Sequence, residues 1–141
     1  MALIAILEDD ARRTETMRAW IEFSGLQAAF FDNAPEMISW LPENLASVTL
    51  ISLDHDLGPD RPGPDGDWDP GTGRQVADLL TAFRPQCPVI VHSSNAPAAE
   101  GMQFALEGAG WTVLRVFPFH DLEWIASSWL EKVRAALPER G

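Results

Sequence analysis

ISLDHDLG, residues 51–58, sets three ionisable side chains, Asp54, His55 and Asp56, directly behind an apolar run that starts at Val48. A near-continuous apolar run of this length is the pattern of a strand covered on both faces of a parallel sheet. Charged groups at the mouth of such a strand are costly unless a neighbour or a ligand compensates them. The pattern recurs to either side. LIAIL (3–7) ends in Glu8, Asp9 and Asp10, LQAAFF (26–31) is a second run, PVIVHSS (88–94) closes on His92, Ser93 and Ser94, and WTVLRVF (111–117) is the fifth.

Helical signals separate these runs. Met17, Trp20 and Ile21 recur at helical spacing between Ala11 and Phe23, with Gly25 as the stop. Asn33 and Glu36 form a capping-box pair for a short helix through Leu41. Thr72 caps a helix with the stripe Val76, Leu79, Leu80 and Phe83, and Met102, Ala105 and Leu106 mark the next, closed near Gly108. A last helix is expected from His120 to Leu137, with Asp121 at its N-cap and Leu122, Ile125, Trp129 and Val133 facing inward. Only GPDRPGPDGDWDPGTG, 58–73, is too dense in Pro, Gly and Asp for regular structure. Five strands alternating with five helices predict one α/β domain over 1–141: a doubly wound, five-stranded parallel sheet with helices on both faces. Ligands of such sheets bind beyond the carboxyl ends of the strands, where every polar cluster above falls.

The chain carries 21 acidic against 10 basic residues, a formal net charge of −11. That argues against a nucleic-acid polymer or an anionic membrane as partner, since both need a positive footprint. A small phosphorylated ligand held through a cation stays compatible, because the ion supplies the missing charge. Cys87, the only cysteine, excludes an internal disulfide and a cysteine-based zinc cluster, and reads as a small buried filler. The N-terminal apolar run is too short for a membrane span and has no basic residue before it, so a mature cytoplasmic chain is expected.

The order ILEDD, LDHDLG, TGRQVADLL, PVIVHSS and RVFPF resembles the receiver domain of two-component response regulators over essentially the whole chain. The resemblance implies the strand order 2-1-3-4-5. It matches Glu8 and Asp9 to the acidic pair after strand 1, Asp54 to the phosphoacceptor, Asp56 to the position whose carbonyl reaches the metal, and Ser93 to the hydroxyl residue after strand 4. The family's Lys-Pro after strand 5 is Phe117-Pro118 here, and Arg115, two residues earlier on the same face, is the candidate substitute. The wording LDHDLG, TG and HSSN looks closer to a divergent branch, the cyclic-phosphate-processing receivers, which implies a cyclic phosphate or nucleotide-type ligand.

From the residues themselves, Glu8, Asp9 and Asp54 at matched strand ends repel one another unless a cation or a shared proton intervenes. An all-oxygen set of this kind suits Mg²⁺ or Mn²⁺, with Asp56 completing the shell and Asp10 serving only as a helix cap. His55 and His92 are candidates for general base and general acid across a phosphate, their ordinary pKa of about 6.5 being suited to proton transfer. The competing reading buries either histidine under a helix, since alternation turns His55 away from Asp54 and His92 away from Ser93. Ser93, Ser94 and Asn95 can bind an anion at a helix N-terminus or simply cap it. Asp65, Asp67 and Asp69 alternate like calcium-loop ligands, but Pro70 and Val76 stand where that motif needs Gly and Glu. The loop fits a lid, with Trp68 as plug or stacking platform, or an irregular excursion. Two functional classes follow: metal-dependent processing of a small phosphate ester, or a receiver that signals through a protein partner.

Overall fold

The computed structural model describes residues 2–137. Its strands are β1 (Leu3–Leu7), β2 (Gln27–Phe31), β3 (Leu50–Leu53), β4 (Val89–His92) and β5 (Val113–Val116). Between them lie α1 (Ala11–Phe23), α2 (Ala34–Asn44), α3 (Gly73–Leu80) and α4 (Ala96–Gly108). A π-type turn over Ile125–Trp129 leads into α5 (Leu130–Ala136). All strand pairs are parallel, in the order β2-β1-β3-β4-β5, which is the doubly wound sheet expected. Positions 1 and 138–141 of the expected single domain lie outside the described residues.

Strand alternation sorts the side chains onto two faces. Ala5, Leu7, Ile51, Leu53, Val89 and Val91 pack with Met37 and Leu41 of α2, Val76 and Leu80 of α3, and Met102 and Leu106 of α4. Ile4, Ile6, Leu50 and Ile90 pack with Met17 and Ile21 of α1 and with Trp124, Trp129 and Val133 of the C-terminal helix. Both faces are therefore dry, which is why the strands read as continuous apolar runs. Every residue of β3 and β4 is buried, including two polar ones, Ser52 and His92.

Asp10 caps α1 by accepting from the Arg12 and Arg13 amides, Asn33 caps α2 through the Glu36 amide, and Asn95 caps α4 through the Ala98 amide. Two helix boundaries differ from expectation. The second helix continues past Leu41 to Asn44 with Pro42 inside it, because Leu41 and the following Leu45 both bury against the core. The last helix starts later than His120, and Asp121 is not its N-cap. Asp121 adopts a left-handed backbone (φ 56°) and uses its carboxylate to grip the Arg12 guanidinium at 2.8 Å.

The 58–73 segment has a pinned centre. Arg61 and Trp68 exchange two backbone hydrogen bonds of 2.8 Å, the Arg61 guanidinium lies over the Trp68 ring, and it pairs with Asp32 after β2 at 3.1 Å. The segment then returns to α3 at Gly73, whose amide donates to the His55 carbonyl at 3.0 Å. A β-carbon at Gly73 would overlap the Asp54 carbonyl and press on Met102. Gly73→Ala is therefore expected to cost about 2–3 kcal/mol as overpacking against backbone, measured by urea unfolding. A variant as stable as the parent would show that this junction yields freely.

Candidate functional site

The carboxyl edge of the sheet is built by extending its ladders one residue beyond the strands. The Glu8 amide donates to the Phe31 carbonyl at 2.9 Å and the Asp54 amide to the Leu7 carbonyl at 3.0 Å. Glu8 thus continues the stripe of Ile4 and Ile6, Asp54 that of Leu50 and Ser52, and His92 that of Ile90. Three stripes on one face converge, and one ligand atom each from Glu8, Asp54 and His92 lie within 4.8 Å of one another. The side chains of Glu8 and His92 are fully buried and that of Asp54 is 8% exposed.

His92 is held from several sides. Its Nδ1 lies 2.7 Å from Ser52 Oγ, which also accepts the Trp129 indole N–H at 3.0 Å. The imidazole stacks on Trp124 with centroids 5.7 Å apart, and Nε2 lies 3.2 Å from Glu8 Oε1 without a hydrogen-bonding angle. Arg13, in the first turn of α1, supplies the local cation. Its guanidinium lies over Trp124, 3.4 Å from Glu8 Oε1 and 3.8 Å from Asp54 Oδ2.

Burial alone would raise the pKa of Glu8, but the close approach of the His92 imidazole, the Asp10 amide and Arg13 outweigh it and hold the group down at about 2. For Asp54 burial dominates and the charge of Glu8 adds to it, against His92, the His55 amide and Arg13, so the group is pushed up to about 7. Two adjacent buried carboxylates have been driven apart. At neutral pH the fold accepts one negative charge readily and the second only with a compensating cation.

The remaining candidates are placed as follows. Asp9 turns toward Gly58, and burial followed by the charge of Glu8 raises its pKa. It borders a cavity of about 630 Å³ between α1 and β2, shared with Thr14, Arg18, Phe30, Asp32 and Glu36. Asp56 is exposed, pairs with His55 Nδ1 at 2.7 Å and lies at 3.4 Å from the Asn95 amide nitrogen. His55 also donates its backbone N–H to Asp54 Oδ1 at 2.7 Å. Ser93 is buried and accepts the Asn95 amide, whereas Ser94 is exposed and borders a smaller cavity of about 190 Å³ with Arg13 and Asp10. Arg115 does not reach the carboxylates; its guanidinium donates to Gln103 on α4 at 3.1 Å.

The side-chain cluster contains Glu8 and Asp54 of the expected ligand set together with His92, and does not include the Asp9 carboxylate; the role expected of Asp56 was through its backbone carbonyl. Ser52 and Arg13 carry weight that the sequence did not suggest. A lone serine inside an apolar strand was the available signal for Ser52. Arg13 sits on an amphipathic helix, where an arginine looks like any solvated residue. Cys87 is half-buried, and burial pushes its thiol up to about 12, consistent with packing rather than reactivity.

The family profile described as the cyclic-phosphate processing receiver domain matches residues 4–108. The chain belongs to that family. Among solved structures it is similar to a response regulator receiver domain from Rhodospirillum rubrum, with 15% identity, TM-score 0.67 and coverage of 97% of this chain and 96% of that one. It is likewise similar to a response regulator from Thermotoga maritima in complex with Mg²⁺–BeF, at 14% identity, TM-score 0.69 and coverage of 97% and 100%. A Burkholderia pseudomallei response regulator with a phosphorylated aspartic acid matches at 17% identity and TM-score 0.60, covering 98% of this chain and 67% of that one. Likeness at this level of identity establishes the receiver fold. No curated protein sequence matches the chain. In this cyclic-phosphate-processing receiver the cluster of Glu8, Asp54 and His92 has the donors and spacing to hold a divalent ion. Among the described residues no helix is long and apolar enough to cross a membrane.

Proposed function

We propose that this receiver domain binds a divalent ion, Mg²⁺ or Mn²⁺, between Glu8 and Asp54 and uses the centre to hydrolyse a small cyclic phosphate ester. The observation that carries the reading is the convergence of Glu8, Asp54 and His92 at the sheet's mouth, in a chain of a family described by cyclic-phosphate processing. A bound ion neutralises phosphate charge and makes a coordinated water more acidic.

The chain's own residues supply the rest. Arg13 provides positive charge beside the carboxylates, where the family lysine is replaced by Phe117. His55, with Nδ1 engaged by Asp56, keeps Nε2 for proton transfer, an orienting role for the carboxylate familiar from acyl-transfer triads. The exposed Ser94 hydroxyl and the Ala96 amide are the groups at the start of α4 available to phosphate oxygens, since Pro97 has no N–H and Asn95 holds the Ala98 amide, while Ser93 positions that turn. Asp9 and the cavity beside it offer room for the organic part of the ligand, within the volume range of small-molecule sites. In the reaction a water oxygen forms a new bond to phosphorus, one ring P–O bond breaks, and the departing alkoxide takes a proton, leaving a phosphate monoester.

The test is incubation with a 2′,3′-cyclic mononucleotide and Mn²⁺. Ring opening that stops with chelator, and that falls ~10²–10⁴-fold in His55→Ala, is expected. No turnover with this or other cyclic phosphodiesters would remove the enzymatic reading. The second reading is a receiver phosphorylated on Asp54 that engages a protein partner, favoured by the position of Asp54 at the end of β3. Treatment with acetyl phosphate followed by mass spectrometry separates the two: a stable phosphoryl group on Asp54 supports signalling.

A further inference from the structure

We infer that His92 is itself a ligand of the metal centre, through Nε2, so that the site is a two-carboxylate, one-imidazole centre that prefers Mn²⁺ or Zn²⁺ to Mg²⁺. The inference rests on the metal-centre reading above and names the chemistry of that centre. It assigns His92 a different task from the proton transfer that the sequence suggested.

Three observations support it. First, His92 is fully buried and its Nε2 has no hydrogen-bond partner, although it sits 3.2 Å from a carboxylate oxygen. A buried ring nitrogen aimed between two acids and bonded to neither has an unmet requirement that an ion would satisfy. Second, the other face of the ring is fixed as metal-bound imidazoles are fixed, by a hydrogen bond at the opposite nitrogen. Trp129 can only donate, so it fills one lone pair of Ser52 Oγ. Ser52 Oγ keeps a second lone pair able to accept Nδ1–H, and that is the tautomer a metal at Nε2 would select. Third, the ring is fully buried and stacked on Trp124, so it cannot exchange protons with bulk water as a general acid must between turnovers. His55, whose side chain is 17% exposed and paired with the exposed Asp56, has that access. The preference follows from the donor set. Mg²⁺ favours an all-oxygen octahedron, whereas imidazole suits later divalent ions.

Mn²⁺ titration followed by electron spin-echo modulation reads the ligand directly. Wild-type protein, and His55→Gln as a control for the other nearby imidazole, are expected to show ¹⁴N coupling that changes to the ¹⁵N pattern with ¹⁵N-histidine. Competition should show Mg²⁺ binding at least ~10-fold more weakly than Mn²⁺. Ser52→Ala, which retains all three ligands, should weaken Mn²⁺ binding by ~10–100-fold through loss of ring orientation. Bound Mn²⁺ without nitrogen coupling, or with no preference over Mg²⁺, would overturn the inference while leaving a carboxylate centre. Absence of any bound divalent ion would overturn the centre as well.

Discussion

Trp129→Ala is expected to lower the stability of this domain by about 3–5 kcal/mol, the cost of emptying a fully buried aromatic site. The ring has no solvent exposure and packs among Ile4, Leu50, Ile90 and Trp124 on the α1 face of the sheet. Its removal loses both the transferred apolar surface and the contacts across the hole it leaves. It also strips Ser52 Oγ of the indole N–H, leaving a buried hydroxyl with one fewer partner. For a chain of this length the melting temperature should fall by roughly 10–20 °C, measured by calorimetry. Trp129→Phe keeps part of the volume but loses the N–H and two further ring atoms, and should cost about 2 kcal/mol, less than the alanine variant. If the alanine variant melts within a degree or two of the parent, the C-terminal helix is not the clamp that holds His92 in place.

The same residue lies where the helix geometry, though not the burial, escaped sequence reading. The sequence reads Trp124 and Trp129 alike as core residues on helical stripes, and both are fully buried, although a regular α-helix turns residues five apart by about 140°. The chain instead forms a π-type turn over Ile125–Trp129, in which the i→i+5 repeat stacks residues five apart, and both tryptophans point inward. Nothing in a hydrophobic pattern announces that extra residue per turn. The left-handed backbone at His120 and Asp121 is equally silent, and it is what turned an expected N-cap into an ion-pair partner of Arg12.

The sheet itself was legible because the two dry faces leave a strong signature in β1, β3 and β4. The meeting of Glu8 and Asp54 followed from one strand alternation applied to neighbouring strands. His92 was legible in the same way, since facing away from Ser93 means facing with Asp54 once β3 and β4 pair with Leu53 opposite Val91. What alternation could not supply was reach. Arg13 and Arg115 are both arginines near the mouth of the sheet, yet one lies over Trp124 toward the acids and the other spans to Gln103. Long flexible side chains take the partner that tertiary packing puts within range, and a linear sequence does not specify which one that is.

Asp54→Asn should separate stability from ion binding at this mouth. Without metal, the folded-state pKa of Asp54, about 7, lies above its ordinary value of 3.8, so the fold prefers the protonated form. The stabilisation this provides is complete below about pH 4 and is lost as pH rises through 7. The interval from 3.8 to about 7 corresponds to a penalty on the order of 4 kcal/mol for the ionised group in alkaline solution. Asparagine keeps the shape and carries no charge, so the variant is expected to match the parent near pH 4 and to be more stable than it at pH 8 by up to that amount. Glu8 works in the opposite sense, its contribution complete above about pH 4.5 and fading as pH falls through about 2, and because both proteins carry it, it is common to the two arms of the comparison. Saturating Mn²⁺ should reverse the ranking at pH 8, because the ion stabilises only the protein that binds it. Urea unfolding at both pH values, with and without Mn²⁺, gives the four numbers. A metal-free variant that is weaker than the parent at pH 8 would mean that Asp54 is ionised comfortably there, with Arg13 alone sufficient to compensate the second charge.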